Sequence, residues 1–127
     1  IAIINHYYYG KLIYSKDQEH RTWAKSVRII FPNQGKKDRG AHINISGGGI
    51  VKFTKRKKQA IKFLEFLVSA EAQELYGDVN YEYPINKIFE TPSKLKALGS
   101  FKEDKLLLEE IAILSPKAQE IIDVVYW

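Results

Sequence analysis

The stretch with the clearest chemical potential lies near the start of the chain, where Asn5-His6-Tyr7-Tyr8-Tyr9-Gly10 follows the apolar run Ile1–Ile4. Neither a helix nor a strand can bury three consecutive phenols on one face. Successive side chains diverge by about 100° in a helix and alternate sides in a strand. In the first turn of a helix, however, two neighbours can both lean over the helix end, where unpaired N–H groups attract anions. Phenolate is a hard, fully charged oxygen donor. Its ordinary pKa is near 10, so it ionises at neutral pH only beside a strong cation. Among biological metals, ferric iron meets that demand best by ligand hardness. Paired tyrosinates beside an anion pocket therefore point to Fe(III) with a bound anion. The competing reading of the same residues is half-buried aromatic packing with the hydroxyls in water.

Composition narrows the remaining chemistry. The chain has 127 residues, 45% of them apolar and 28% charged, which suits a globular domain able to bury a core. It has no cysteine, which excludes disulfides and thiolate metal sites. No apolar run approaches the roughly 20 residues of a membrane span. There is no dinucleotide glycine fingerprint and no His-Glu-x-x-His. Gly47-Gly48-Gly49 lacks the Gly-Lys-Ser/Thr that would make it a nucleotide loop. An enzyme is therefore not expected. The net charge of +5 gathers at Lys36–Arg39 and Lys52–Lys58, away from the tyrosines. Nucleic-acid stacking platforms interleave aromatic and basic residues along one groove, so that reading is the weaker one.

The elements that must carry these residues alternate between strand and helix. Ile1–Ile4 reads as a strand end, Asn5 as an N-cap, and 6–15 as a helix. Val27–Phe31 reads as a strand stopped by Pro32-Asn33-Gln34-Gly35, and 42–46 and 50–53 as further extended segments around the three glycines. Ala60, Ile61, Leu64, Leu67 and Val68 give a helical stripe within a helix expected over 57–76, re-capped at Ser69 and stopped by Gly77. Asn80-Tyr81-Glu82-Tyr83-Pro84 is an aromatic loop. Ser100 with Glu103 predicts a capping box for a helix to Leu114, and Ser115-Pro116 the opening of a last helix to Tyr126. This is α/β organisation.

NHYYYGKL, FPNQG, RGAHINISGGGIV, AIKFLEFLVSAEAQ and NYEYPIN occur in this order. Over Ile1 to about Asn86 this string resembles the C-terminal part of bacterial ferric-iron-binding proteins, the periplasmic substrate-binding components of iron(III) ABC importers. The resemblance implies an α/β, periplasmic-binding-protein-like (type II) two-lobed fold, of which this chain is the C-terminal portion only. Residues 1–42 would then be the remainder of the second, iron-ligand lobe. Residues 43–97 would cross back and build part of the first lobe, and 98–127 would be helices returning to the second. The start at Ile1, without a methionine or a signal peptide, is likewise read as a piece of a longer protein.

In that family the segment Asn-x-Tyr-Tyr supplies two adjacent tyrosinates to Fe(III), which here implies Tyr7 and Tyr8 as metal ligands. The motif Asn, here Asn5, would contribute to the pocket of a synergistic anion such as phosphate or carbonate. Tyr9 and His6 stand at variable positions, so Tyr9 is read as packing and no ligand role is carried to His6. His42 is read as a strand histidine near the lobe crossover. Further ligands would come from residues preceding Ile1. The implied function is capture of ferric iron in an interlobe cleft and its delivery to an ABC permease, by a monomer in the periplasm or lipid-anchored outside the cytoplasm. The alternative is the same fold holding another small anionic or metal-complex ligand.

Overall fold

A computed structural model describes residues 1–126. Its elements in chain order are α1 (His6–Ile13), α2 (Gln18–Ser26), α3 (Lys57–Leu67), α4 (Ala70–Leu75), a π-helical turn (Tyr76–Asn80), α5 (Ser93–Lys96) and α6 (Leu108–Val124). No helix among the described residues is long and apolar enough to cross a membrane. The chain divides into two units, residues 1–30 with 45–100 and residues 31–44 with 101–127.

In the first unit, α1 packs on α2, α3 on α4, and the π-helical turn on both α4 and α5. Asp17 caps α2 by accepting from the Glu19 N–H at 2.8 Å. This helix escapes the apolar periodicity because Ala24 is its one buried residue. Ser69 caps α4, its hydroxyl accepting from Ala72 N–H at 3.3 Å, so the expected break after Val68 is present. The helical path runs past Gly77 into the π-helical turn and stops at Tyr81, whose φ of 60° is left-handed. Buried Gln73 holds the aromatic loop behind it. Its amide donates to Leu67 O at 2.8 Å and accepts from Ile85 N–H at 2.9 Å. The core is small: Tyr81, Leu95 and Leu98, with Tyr7, Tyr9, Tyr14 and Tyr83 packed around them.

The second unit is organised by side chains acting as strand partners. Ala41 forms a parallel bridge to Glu103, with Ala41 N–H to Lys102 O and Asp104 N–H to Ala41 O both at 2.8 Å. The Gln34 amide continues the pattern, accepting from Lys102 N–H at 2.6 Å and donating to Lys102 O at 3.2 Å. Arg39 donates from Nε to Asp104 at 2.6 Å and holds that carboxyl below its usual range. Gly40 has a φ of 103°, and a Cβ there would stand 2.6 Å from the Glu103 backbone.

These contacts correct several sequence expectations. The bridge keeps 101–104 extended, so no helix starts at Ser100. It starts at Leu108 instead, where the Glu110 carboxylate accepts from Leu107 N–H at 3.0 Å. The two helices expected on either side of Ser115 are one, with Pro116 inside α6. The extended segments expected at 27–31, 42–46 and 50–53 form no ladder among the described residues, and the Ala41–Glu103 bridge lies outside them. A strand exists only with a partner, and Ile30 stays 83% exposed. Apolar faces of α3 and α6 also meet solvent, Phe63 at 58% and Ile113 at 77%.

Gly10 lies in α1 where a Cβ would come within 2.7 Å of the Tyr81 ring. Gly10→Ala gains about 1 kcal/mol of helix propensity but overpacks a ring fixed on several sides, at a cost of about 1–3 kcal/mol. The expected net result is destabilisation, read as a lower urea midpoint with an unchanged slope. A midpoint equal to or above that of the parent protein would mean that the ring can move aside.

Candidate metal centre

The first turn of α1 begins as the sequence suggests and closes differently. Asn5 is extended (φ −72°, ψ 139°), and its carbonyl accepts from Tyr8 N–H at 3.1 Å. Its side chain does not cap the helix. The amide instead donates to the Tyr7 hydroxyl oxygen at 3.3 Å. The residue read as a possible anion contact is therefore in direct contact with one of the two tyrosines read as ligands.

Tyr7 and Tyr8 stand ring against ring, their centroids 4.4 Å apart at an interplanar angle of 43°. Tyr8 is half exposed, and the interaction of its hydroxyl with that of Tyr7 is the leading influence on the acidity of both. This interaction pushes the two phenols apart in acidity. Tyr7 is lowered, first by its interaction with the Tyr8 hydroxyl, then by the Asn5 amide, with a smaller contribution from the Lys11 charge. Lys11 lies one helical turn on, with Nζ 5.3 Å from the Tyr7 ring centroid. Tyr8 is raised, because ionising it loses that interaction and sets a second charge beside Tyr7. Tyr9 packs against the Tyr81–Leu95–Leu98 core. Within the triplet, Tyr7 and Tyr9 both pack against that core, and Tyr8 is the exposed member.

Sequence reasoning left out what stands behind the pair. His6 is hydrogen-bonded through Nε2 to the Tyr81 carbonyl at 2.7 Å, and its ring lies 5.0 Å from that of Tyr83. Burial lowers the His6 pKa, partly offset by the Tyr81 bond and the Glu82 charge. Burial raises Tyr83. The Tyr81 ring stacks on Tyr14 at 5.5 Å and 21°, with Lys94 Nζ over both rings. The aromatic loop 80–84 was legible as a loop, but its docking on α1 involves residues 75 apart and leaves no local signal. His42 is exposed, belongs to the second unit, and favours the Asp104 carboxylate. Among the described residues, no three His, Cys, Asp or Glu side chains gather as a metal site.

Comparison with known proteins gives this geometry a family context. No protein-family model matches the chain. Iron uptake protein A1 of Synechocystis sp. is 35% identical over 127 residues, all of this chain and 35% of that protein. The major ferric iron-binding protein of Neisseria meningitidis is 36% identical over 85 residues, 67% of this chain and 24% of that protein. The ferric binding protein of Campylobacter jejuni superposes with a TM-score of 0.87 at 42% identity, over 98% of this chain and 39% of that one. The chain belongs to the bacterial ferric-iron-binding proteins. A Trichodesmium member, solved in complex with iron and citrate ligands, superposes with a TM-score of 0.86 at 43% identity, over 98% of this chain and 39% of that one. The chain thus spans between about a quarter and two fifths of the length of these relatives, in keeping with a C-terminal portion. Its fold is that of part of a type II periplasmic-binding-protein-like molecule, seen here through its helices. The relatives' names are those of iron-uptake and iron-binding proteins, not of enzymes.

The interaction between the two hydroxyls sets an order of ionisation. Tyr8→Phe removes the largest influence that lowers Tyr7, so Tyr7 should ionise at higher pH than in the parent protein. Asn5→Ala should move it in the same direction by less. An ultraviolet phenolate titration reads both shifts, and an unmoved first midpoint in Tyr8→Phe would show that the Tyr8 hydroxyl does not act on Tyr7.

Proposed function

We propose that the chain provides two tyrosinate ligands, Tyr7 and Tyr8, to a ferric-iron site, and that Asn5 helps hold an anion beside them. The observation that carries this reading is the adjacency of the two phenols at the start of α1, ring against ring. Ferric iron is the cargo. Its charge replaces the hydroxyl protons of both Tyr7 and Tyr8, which leave to solvent, so both oxygens become available as hard anionic donors. Tyr7 is the first to ionise, because the Asn5 amide and the Lys11 charge already favour its phenolate. The Asn5 side chain can turn its N–H from the Tyr7 oxygen to an anion bound next to the metal. Phosphate and carbonate both suit that role.

Two phenolates leave most of an iron coordination sphere to be filled. In the full-length protein, ligands from the opposite lobe and the anion complete it. Hinge closure then excludes water, and reopening at an ABC permease releases the ion. The protein acts in the periplasm, free or lipid-anchored. It is a carrier, and no bond-making step is required of it. The Trichodesmium relative solved with iron and citrate ligands favours a second form of the cargo, a ferric ion with an organic anion as its remaining ligand.

Ferric tyrosinates absorb visible light by charge transfer from phenolate to metal. Full-length protein loaded with Fe(III) should therefore be orange to red. The double variant Tyr7→Phe/Tyr8→Phe should lose the band while keeping its fold by circular dichroism, and Tyr9→Phe should keep it. A band that survives the double change would place the ligands elsewhere, and equal loss in Tyr9→Phe would mean a different pair.

Each phenol must lose its proton to bind, so loading releases protons and acid competes with the metal. With two phenols protonated in the metal-free protein near neutral pH, affinity should fall by roughly 100-fold per pH unit on acidification. Iron release against a fixed chelator, followed from neutral to mildly acidic pH, measures the slope. A flat profile is incompatible with tyrosinate ligation.

A further inference from the structure

We infer that His6 is a positioning residue for the tyrosine pair: by donating Nε2–H to the Tyr81 carbonyl, it fixes the first turn of α1 against the left-handed turn that ends the π-helical segment. This inference rests on the reading of Tyr7 and Tyr8 as iron ligands. A histidine next to two tyrosinates invites a ligand assignment, but the nitrogen that the structure shows engaged serves the Tyr81 carbonyl. A carbonyl oxygen only accepts, so the nitrogen 2.7 Å from Tyr81 O must carry the proton. A neutral ring with the proton on Nε2 has its lone pair on Nδ1, and Nε2 cannot coordinate a metal without giving up the Tyr81 bond.

Each end of this bond is fixed by its surroundings. The His6 ring is half-buried and lies against Tyr83, 5.0 Å between centroids. The carbonyl belongs to a residue at φ 60° whose ring fills the space left by Gly10 and stacks on Tyr14. Glu82 N–H, one residue on, donates to Tyr76 O at 3.3 Å. His6 therefore transmits this rigidity to the turn bearing Tyr7 and Tyr8, alongside the packing of Tyr7 itself on the Tyr81 core. Partners that orient metal ligands without touching the metal typically govern affinity by about 10- to 100-fold.

Two substitutions separate positioning from ligation. His6→Gln places an amide N–H at the level of Nε2 and can still donate to Tyr81 O, whereas His6→Asn ends at the level of Nδ1 and falls short. In the full-length protein both variants should keep the ferric charge-transfer band at the parent wavelength, because both tyrosinates remain. Citrate competition should show iron bound about tenfold more weakly by His6→Asn and within about twofold of the parent by His6→Gln. If His6→Asn does not fold, parental affinity and band in His6→Gln still carry the test. Equal weakening in the two variants, parental affinity in His6→Asn, or a shifted band in His6→Gln would overturn the assignment. In the metal-free protein, imidazole nitrogen resonances should report the neutral ring protonated on Nε2, and protonation on Nδ1 would overturn it without reference to iron. Absence of any band from the parent protein would overturn the tyrosinate reading and this one together, whereas a parental band with both His6 variants equally weak would overturn this one alone.

Discussion

Tyr81 holds a backbone conformation that L-residues avoid, and the first unit is arranged around keeping it there. A non-glycine residue at φ 60° costs about 1–2 kcal/mol, so it persists only where its neighbours over-determine it. The π-helical turn delivers the chain to this point, and Tyr81 N–H closes that turn on Tyr76 O. The ring then enters a space that exists because residue 10 has no side chain, and it lies flat on Tyr14. The Tyr14 hydroxyl in turn donates to Lys94 O at 3.0 Å, and Lys94 Nζ donates to Asp78 O at 3.0 Å, tying α5 to the same cluster. One consequence of the left-handed turn is that the Tyr81 carbonyl meets His6. The placement of the two adjacent tyrosines thus follows from a packing problem solved outside their own helix.

The pair itself is an asymmetric electrostatic unit. Two phenols in contact cannot ionise independently, since the first phenolate formed is stabilised by the proton of the second and then opposes its loss. Asn5 and Lys11 add to the stabilisation of one member, Tyr7, and Tyr8 keeps its proton longer. Without a cation such a pair remains at least partly protonated at neutral pH. A trivalent cation removes that restriction by neutralising both charges.

The second unit shows how little regular structure is needed to fix a chain path. Gln34 and Lys102 together replace a strand neighbour: the Gln34 amide pairs with both backbone groups of residue 102, and the Lys102 ammonium donates to Gly35 O at 2.8 Å and to Asp38 O. Arg39 and Asp104 lock the adjoining step.

Patterns within a few residues were readable from the sequence by itself. The turn of α1 after Asn5, the stripe of α3, the break and cap at Ser69 and the aromatic loop at 80–84 all follow from spacing and local side-chain chemistry. The Asn-x-Tyr-Tyr string, met in order with four further motifs, was enough to reach the family. Interactions between distant residues were not readable, because nothing local encodes them. Ser100 and Glu103 have the spacing of a capping box, yet pairing of 102–104 with Ala41 competes successfully for the same backbone groups. Asn5 has the identity of a cap, yet its amide finds Tyr7. His6 stands at a position with no family role, and only the approach of Tyr81, 75 residues away, assigns its proton. Sequence determines which groups are available at each turn. Tertiary structure decides which partner each group meets, since a hydrogen bond of about 3 Å depends on packing that brings remote segments together.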